Sequence, residues 1–321
     1  HPETRAVKLK STPRKEILSM KLAVEFPNVI YREGPDAVAS LARAIEEIGF
    51  DQLDMFDHVV MGHPTDDRPA MAYPSNMPVL EALMTLSYAA AATSTIGLGT
   101  EVLILPQRQP TLVARQVNTL DILSGGRVRL GVGVGWQQSE YEALGVNFAA
   151  RGKMMDEAID FMKTWWQEEN VSYQGQFYSA DNMAMEPNSP QGGNIPIWIG
   201  GNSEAALRRA GRIGDGWMAS GSADDYEKMS SAIKRVKSYA EEFSRDPDSL
   251  GFQAQLSPPP RNNDPASRNF YANPDDVAAT ALLAKSIGFD WATINVTGVF
   301  VAGARSLDAI IESLTVLHNK I

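Results

Sequence analysis

The feature of this sequence that most constrains its fold is a regular alternation of short apolar segments with longer amphipathic ones. Eight short segments have the composition of buried strands, and each is followed by a segment that we interpret as a helix. The stretch "IGFD" occurs at 48–51 and again at 287–290, each time between a predicted helix and a predicted strand. In both copies we expect the glycine to end the helix in a left-handed conformation. "RIGDGW" at 212–217 is a looser version of the same junction.

Eight such units predict an α/β fold, a (β/α)8 TIM barrel with insertions. The predicted strands are KLAVEF (21–26), QLDMFDHV (52–59), IGLGTEVLIL (96–105), RVRLGVGVG (127–135), IPIWIGG (195–201), DGWMAS (215–220), LGFQAQL (250–256) and WATINVTG (291–298). The alternating segment VSYQGQFYS (171–179) predicts a hairpin insertion. The competing architecture is an open doubly wound sheet, which needs a glycine-rich turn after its first strand. EFPNVIYREGP (25–35) does not supply that turn.

Composition and charge bound the organisation of the chain and its partners. Residues 1–19 are basic, contain proline and lack helical periodicity, so we interpret them as a leader or flexible extension before a single domain at 20–321. The net charge of −10 disfavours a nucleic acid or an anionic membrane as partner. Cysteine is absent, and no apolar run approaches the ~20 residues that span a bilayer. We expect a cytoplasmic protein.

The most unusual local pattern is the G-x-G-x-G run inside RLGVGVGW (129–136). A dinucleotide fingerprint has the spacing G-x-G-x-x-G and opens a helix, so this run is a different feature. The alternation places Gly131, Gly133 and Gly135 on one face of a strand. Two interpretations stay open: a bulky group lies against the glycines, or the strand simply packs tightly. Gly135 and Trp136 fall at the carboxyl end of the strand, where barrel enzymes carry their active sites.

Three other strand ends carry candidate functional residues. Strand two ends in Asp57–His58, and strand three contains Glu101–Val102 within an apolar run. Strand five ends in 200–203, GGNS, at a predicted helix start, which suits a phosphate or is an ordinary turn with a serine N-cap. His58 and His63 are not a compact metal pair and no third ligand is evident, so we predict no metal site.

Three stretches resemble the bacterial luciferase-like monooxygenase superfamily: GFDQLDMFDHV (49–59), the long segment 96–145 from IGLGTEVLIL to EYEALG, and PIWIGGNSEAALRRAGRIGDGWM (196–218). The resemblance implies a luciferase-like TIM barrel that binds FMN or the 5-deazaflavin F420 at its carboxyl mouth. The form of the motifs is most similar to the F420-dependent oxidoreductase branch. A homodimer is also expected from this likeness.

The resemblance implies a cofactor-binding role for Asp57, His58, Glu101, Val102, Gly133, Val134, Gly135, Trp136, Gly200, Gly201, Asn202 and Ser203. In the family, Asp57 and His58 would lie beside the ring, with His58 on the substrate side as the catalytic residue. Glu101–Val102 would match a non-prolyl cis peptide behind the ring. The stretch 133–136 would line the ring and ribityl region, and 200–203 would hold the phosphate.

The sequence departs from the family at two positions, and the likeness leaves three functions open. Glucose-6-phosphate dehydrogenases of this superfamily have a glutamate at the position of Trp136 and a lysine near Ser222, so a sugar phosphate substrate is disfavoured. The first hypothesis is an F420-dependent oxidoreductase that moves a hydride between the deazaflavin and a small organic substrate. The second is an FMN-dependent monooxygenase using reduced flavin and O2. A partner flavin or F420 reductase would supply the reduced cofactor. The third hypothesis is a non-enzymatic flavin-binding protein.

Overall fold

A computed structural model of the chain describes residues 20–68, 73–221, 225–257 and 268–321. The predicted leader at 1–19 and Ser222 lie outside the described residues. None of the helices within these ranges combines the length and the apolar character needed to cross a bilayer.

Parallel strands form a closed barrel, so the predicted TIM barrel is confirmed. The strands are β1 Lys21–Glu25, β2 Gln52–Met55, β3 Gly97–Thr100, β4 Leu103–Ile104, β5 Val128–Gly133, β8 Ile197–Gly200, β9 Gly216–Ala219, β10 Gly251–Leu256 and β11 Trp291–Asn295. Strands β3 and β4 are two halves of one barrel strand, interrupted by a cis peptide bond between Glu101 and Val102. The barrel closes because β1 pairs with β11 and β5 pairs with β3, β4 and β8.

Helices surround the barrel and cover its apolar outer face. They are α1 Pro35–Ile48, α2 Ala82–Ala92, α3 Pro110–Ser124, α4 Gln138–Ala143, α5 Arg151–Gln167, α6 Glu204–Ile213, α7 Tyr226–Glu242, α8 Pro274–Ser286, α9 Val296–Val301 and α10 Leu307–Lys320. Helix α1 is typical, since Val38, Leu41 and Ile45 recur at helical spacing and are all buried.

The repeated IGFD junction behaves as the sequence predicts. Gly49 and Gly288 have φ angles of 107° and 111°, a region that favours glycine, and a strand follows each within a few residues. The looser copy does not share this geometry. Gly214 has φ −77° and ψ 156°, so it ends α6 in an extended conformation.

The predicted hairpin insertion is present as the antiparallel strands β6 Val171–Gln174 and β7 Ser179–Met183. Its turn is held by the carboxylate of Glu157 on α5, which accepts the backbone N–H groups of Gln176, Phe177 and Tyr178 at 2.8–2.9 Å. The insertion therefore packs on the outside of the barrel through α5.

The predicted eighth strand, 291–298, is too long. Strand β11 stops at Asn295, whose side chain accepts the backbone N–H of Gly298 at 2.9 Å and thereby caps the short helix α9. The apolar composition of VTG suits both a strand and a buried helical turn, so periodicity alone does not distinguish them.

The glycines of the G-x-G-x-G run face the neighbouring strand pair β3–β4. A Cβ atom on Gly131 would overlap the backbone carbonyl oxygen of Thr100, and one on Gly133 would lie 2.6 Å from Val102 Cγ2. One on Gly135 would lie 2.7 Å from Ile104 Cγ2. The run thus allows close packing of two strands, which favours the tight-packing interpretation for all three glycines.

We expect Gly131→Ala to lower the free energy of unfolding by about 1–3 kcal/mol, because the methyl group meets a backbone carbonyl that cannot move alone. Gly152→Ala is the matched control. It lies in helix α5 with no heavy atom closer than 3.9 Å to the added Cβ, and should leave stability unchanged or raise it by about 0.5–1 kcal/mol. Urea denaturation of both variants tests this, and equal stabilities would contradict it.

Candidate active site

A cleft of about 320 Å³ opens at the carboxyl ends of the barrel strands. The predicted site residues that line it are Asp57, His58, Glu101, Val102, Gly133, Val134, Gly135, Trp136, Gly200 and Gly201. The remaining two, Asn202 and Ser203, lie directly beyond the cleft wall at the start of α6. Residues from four predicted strand ends therefore meet in one cavity. Their individual roles in binding stay predictions.

His58 is buried in the cleft wall and pairs with a residue that the sequence reasoning missed. Its Nδ1 lies 2.9 Å from Oε2 of Glu140, which has no exposed surface. Glu140 belongs to α4, a short helix that follows Trp136 along the chain. The signal was present in the sequence as SEYEALG, but nothing in its pattern distinguished Glu140 from Glu142, which is exposed.

The carboxylate of Glu140 also organises the segment after His58. Its Oε1 accepts the backbone N–H groups of Val59 at 2.6 Å and Val60 at 3.3 Å. Burial acts to raise the pKa of Glu140, but hydrogen bonds from His58 and from the Val59 backbone outweigh it and lower that pKa to about 2. Glu140 is therefore ionised throughout the physiological range.

Both carboxylate oxygens of Asp57 are bonded to groups of the protein itself. Its Oδ2 accepts the backbone N–H of Ile104 at 2.9 Å, and its Oδ1 lies 2.8 Å from Nη2 of Arg108. The carboxylate has no exposed surface. It thereby ties the end of β2 to the segment that follows β4, and both of its oxygens already have donors.

Aromatic rings form one wall of the cleft beside His58. Trp136 lies edge-on to His58 with ring centroids 5.4 Å apart, and Phe56 lies 5.1 Å from it on another side. Tyr73 contacts both Phe56 and Trp136 at 5.3 and 6.3 Å. Trp136 is 44% exposed, so a large apolar surface is open at the mouth. Such a wall suits a flat or apolar molecule.

Two further carboxyl groups, those of Glu25 and Glu101, line the same cleft. Glu25 accepts hydrogen bonds from Gln255 Nε2 at 2.9 Å and Asn295 Nδ2 at 2.8 Å, and Glu101 accepts one from Gln253 Nε2 at 3.0 Å. Burial, and then the nearby charge of Asp54, raise the pKa of Glu25 to about 8. The same two causes raise the pKa of Glu101 well above its ordinary value. Both shifts favour the protonated, uncharged carboxyl, and Glu25 is mostly protonated at neutral pH.

The charge that acts on these carboxyls lies deeper in the barrel. Asp54 Oδ2 pairs with Arg129 Nη2 at 2.8 Å. The guanidinium lies 4.3 Å from the ring centroid of Trp198 and 4.6 Å from that of Trp291. The two indole rings thus supply the contacts that water would give to the faces of an exposed arginine.

Val102, which follows the cis peptide bond with Glu101, packs against two glycines. A Cβ on Gly133 or Gly200 would lie 2.6 or 2.8 Å from a methyl group of Val102. Val102 therefore fills the space that both glycines leave, and it forms part of the cleft surface.

Hydrogen bonds of the Asn202 and Ser203 side chains hold the loop at 200–203 in place. Ser203 Oγ accepts the backbone N–H of Ala206 at 3.2 Å, which is the N-cap bond of α6. The amide of Asn202 bonds to both the carbonyl and the N–H of Ser220. Gly201 has φ 108°, and its Cβ position is open apart from Ala206 at 3.5 Å. Ser203 thus makes the N-cap bond of the ordinary-turn interpretation, and its role in phosphate binding stays a prediction.

A second cavity of about 530 Å³ adjoins the cleft. Four residues line both cavities: Glu25, Phe56, Tyr73 and Gln255. Its further walls include Val29, Met77 and Val301 on the apolar side and Asn28, Thr297 and Arg268 on the polar side. A bound molecule longer than the cleft has room to continue into it.

A TIM barrel with a histidine–carboxylate pair and a glycine-lined cleft at its carboxyl mouth has the arrangement of an enzyme active site. The chain matches the luciferase-like monooxygenase family over residues 18–273 and belongs to that family. It is accordingly a luciferase-like oxidoreductase that uses a flavin or deazaflavin. The third hypothesis, a non-enzymatic flavin-binding protein, is thereby set aside.

Relatives with F420-dependent activities are among the similar proteins. The chain is 31% identical to an F420-dependent glucose-6-phosphate dehydrogenase from Microbacterium testaceum over 68% of this chain and 63% of that one. Another similar protein is Rv0940c of Mycobacterium tuberculosis, to which the chain is 34% identical over 62% of this chain and 71% of that one. The F420-dependent tetrahydromethanopterin reductase of Methanopyrus kandleri shares the fold, with a TM-score of 0.72, 17% identity and coverage of 94% and 98%.

We expect Glu25→Gln to change how stability depends on pH. A carboxyl whose pKa is about 8 folded and about 4.5 unfolded stabilises the protein fully below pH 4.5. That contribution is lost as pH rises to about 8. Between these two pH values the carboxyl ionises in the unfolded chain but not in the folded protein, which lowers the free energy of the unfolded state. The variant cannot ionise at this position, so its stability relative to the wild type should rise between pH 5 and pH 8.

Denaturant unfolding at both pH values measures this difference. Glu142→Gln, an exposed carboxylate bonded to Gln138 at 2.9 Å, is the matched control and should show no such change. A Glu25→Gln difference that is equal at the two pH values would show that this carboxyl is ionised in the folded protein.

Proposed function

We propose that the protein is an F420-dependent oxidoreductase that transfers a hydride between the deazaflavin and a small, uncharged organic substrate. The observation that carries this proposal is His58, buried in the cleft with its Nδ1 bound to an ionised carboxylate. A hydride transfer to or from a carbonyl needs one accompanying proton transfer at the substrate oxygen. His58 is the residue of the cleft best suited to it, because its Nδ1 is bound to Glu140, whereas the carboxyl oxygens of Glu25 and Glu101 are bonded to amide groups.

The residues of the cleft fit a deazaflavin or flavin. The ring would lie against Val102, Gly133 and Val134, where the side chain of Val102 packs over two glycines and forms an apolar surface of the cleft. The phosphate would approach Gly201, whose Cβ position is open, and the backbone N–H groups at the start of α6. When bound, F420 supplies two-electron hydride chemistry and no oxygen activation.

Each wall of the cleft then has a task. The uncharged forms of Glu25 and Glu101 avoid placing negative charge beside a reduced, electron-rich ring. The rings of Phe56, Tyr73 and Trp136 exclude water and contact the apolar part of the substrate. His58 holds or moves the proton at the substrate oxygen. The adjoining cavity would receive the rest of a longer substrate or of the cofactor tail.

The experiment that tests the cofactor assignment is direct. Protein purified from a host that makes F420 is denatured, and the released cofactor is identified by mass spectrometry. Reduced and oxidised F420 and FMN are then titrated separately into cofactor-free protein. Release and tight binding of F420 support the proposal. Release of FMN, with oxygen consumption only when reduced FMN is supplied, would establish the FMN-dependent monooxygenase instead.

We also propose a homodimer. Helices α2 and α3 pack side by side and both expose large apolar side chains: Met84 and Tyr88 on α2, and Leu112 and Leu123 on α3. A helical face of this kind is typical of a subunit interface. A cytoplasmic location and a partner reductase stay predictions.

We expect Gly201→Val to weaken cofactor binding at least tenfold, about 1.4 kcal/mol, because the side chain fills the space proposed for the phosphate. The variant will also lose stability, since φ 108° favours glycine. Gly288→Val is the matched control: Gly288 has φ 111° in an IGFD junction remote from the cleft. Both variants should melt at lower temperature, and only Gly201→Val should change the Kd.

Equilibrium titration with F420, followed by fluorescence, gives the two dissociation constants. A Gly201→Val protein that binds as tightly as Gly288→Val would mean that the phosphate lies away from this loop.

A further inference from the structure

The two oxygens of Glu140 do different things. Oε1 accepts the backbone N–H of Val59 at 2.6 Å and that of Val60 at 3.3 Å, so it is committed to the main chain. Oε2 lies 2.9 Å from Nδ1 of His58 and 3.3 Å from Nε2 of Gln137. The carboxylate is therefore fixed in one orientation, with one oxygen for the segment after His58 and the other for its ring.

An ionised carboxylate can only accept hydrogen bonds. Hydrogen bonds from His58 and Val59 lower the pKa of Glu140 against the effect of its burial, so this group is ionised. The hydrogen bond between Glu140 and His58 then requires a proton on Nδ1. In the neutral ring the second nitrogen, Nε2, then keeps its lone pair, and His58 is one of the residues that line the cleft.

We propose that Glu140 is a positioning residue that sets the tautomer of His58, with the proton on Nδ1 and Nε2 as the proton acceptor toward the substrate. The structural part of this inference stands on the geometry of the pair. Its consequence for turnover rests on the proposed function.

Nε2 of His58 would exchange one proton with the substrate oxygen. In the oxidation of an alcohol, the hydroxyl proton would pass to the lone pair of Nε2. The carbon–hydrogen bond would break with its electron pair and leave as hydride, for which oxidised F420, when bound, would be the acceptor. The product is a carbonyl, and the resulting imidazolium is stabilised by the charge of Glu140. In the reverse direction the imidazolium returns the same proton to the substrate oxygen. If the neutral ring of His58 instead carried its proton on Nε2, that nitrogen would have no lone pair to accept the hydroxyl proton of the substrate.

The other ionisable groups near His58 are already engaged or more distant. Asp57 is bound to Arg108 and to the Ile104 backbone. The Tyr73 ring lies 6.4 Å from the His58 ring, and the Tyr141 hydroxyl donates to the Val134 carbonyl at 2.6 Å. Glu25 and Glu101 line the same cleft and accept hydrogen bonds from amide groups. Glu140 is thus the group in direct contact with Nδ1 among the described residues.

Glu140→Gln makes a sharp test because the backbone dictates which way the amide points. The N–H groups of Val59 and Val60 need an acceptor, so the amide oxygen takes the place of Oε1. The amide nitrogen then faces Nδ1 of His58 and donates to it. The neutral ring must move its proton to Nε2, while the backbone contacts survive.

The readout is the nitrogen-15 NMR spectrum of histidine-labelled, cofactor-free protein at a pH where the ring is neutral. A protonated and a bare ring nitrogen have well-separated shifts, and His58→Gln identifies the signals among the four histidines. We expect the Nδ1–H form in the wild type and the Nε2–H form in Glu140→Gln. Glu142→Gln, on the same helix, should keep the wild-type tautomer.

A wild-type ring with its proton on Nε2 would overturn the inference, whether or not the variant folds. An unchanged tautomer in folded Glu140→Gln would overturn it equally. For turnover with F420 we expect kcat/KM to fall about a hundredfold or more in Glu140→Gln and to stay near wild type in Glu142→Gln. Absence of F420 binding with the expected tautomers would contradict the proposed function alone.

Discussion

The ion pair between Asp54 and Arg129 is the interaction on which the chemistry of this barrel depends. A charge pair on the axis of a closed barrel has no water to solvate it, so it needs partners on every side. The two indole rings pack on the guanidinium of Arg129 and its Nη2 donates to Asp54, whereas its Nε and Nη1 have no hydrogen-bond partner among the described residues. Asp54 receives an additional hydrogen bond from Gln52 at 2.9 Å. The negative charge of Asp54 also acts outward, on Glu25 and Glu101. A structural pair at the bottom of the barrel thereby helps to keep the floor of the cleft uncharged.

The fold was largely predictable from the sequence because the βα unit is a local pattern repeated eight times. A glycine at a helix end and an apolar strand segment can be recognised from the few residues around them. The junctions at Gly49 and Gly288 have the predicted conformation. Errors arise where composition is compatible with two structures. Gly214 in the looser junction ends a helix without a left-handed turn, and the VTG segment after β11 begins a helix instead of continuing the strand.

The candidate site was predictable only in outline. Strand ends meet at the mouth of a barrel by topology, so His58, Gly135 and Gly201 could be placed in one cleft before any side chain was seen. The partner of His58 could not, because Glu140 reaches it across 82 residues of sequence from a helix rich in other polar residues. For Asp57 and Ser203 the sequence indicates where the residue lies but not what it contacts. Both side chains accept a hydrogen bond from a backbone N–H group of the protein itself.

The exposure of Trp136 gives the molecule a built-in optical reporter. The other tryptophans are buried or half-buried, Trp217 completely so, whereas Trp136 stands at the mouth of the cleft beside His58 and Tyr73. Its indole is the one that a soluble quencher reaches most readily. Emission on the long-wavelength side of the protein's fluorescence band therefore comes chiefly from the rim of the cleft. Occupancy of the cleft by any ring-shaped molecule then registers as protection from quenching and a shift of that band, without labels and without turnover.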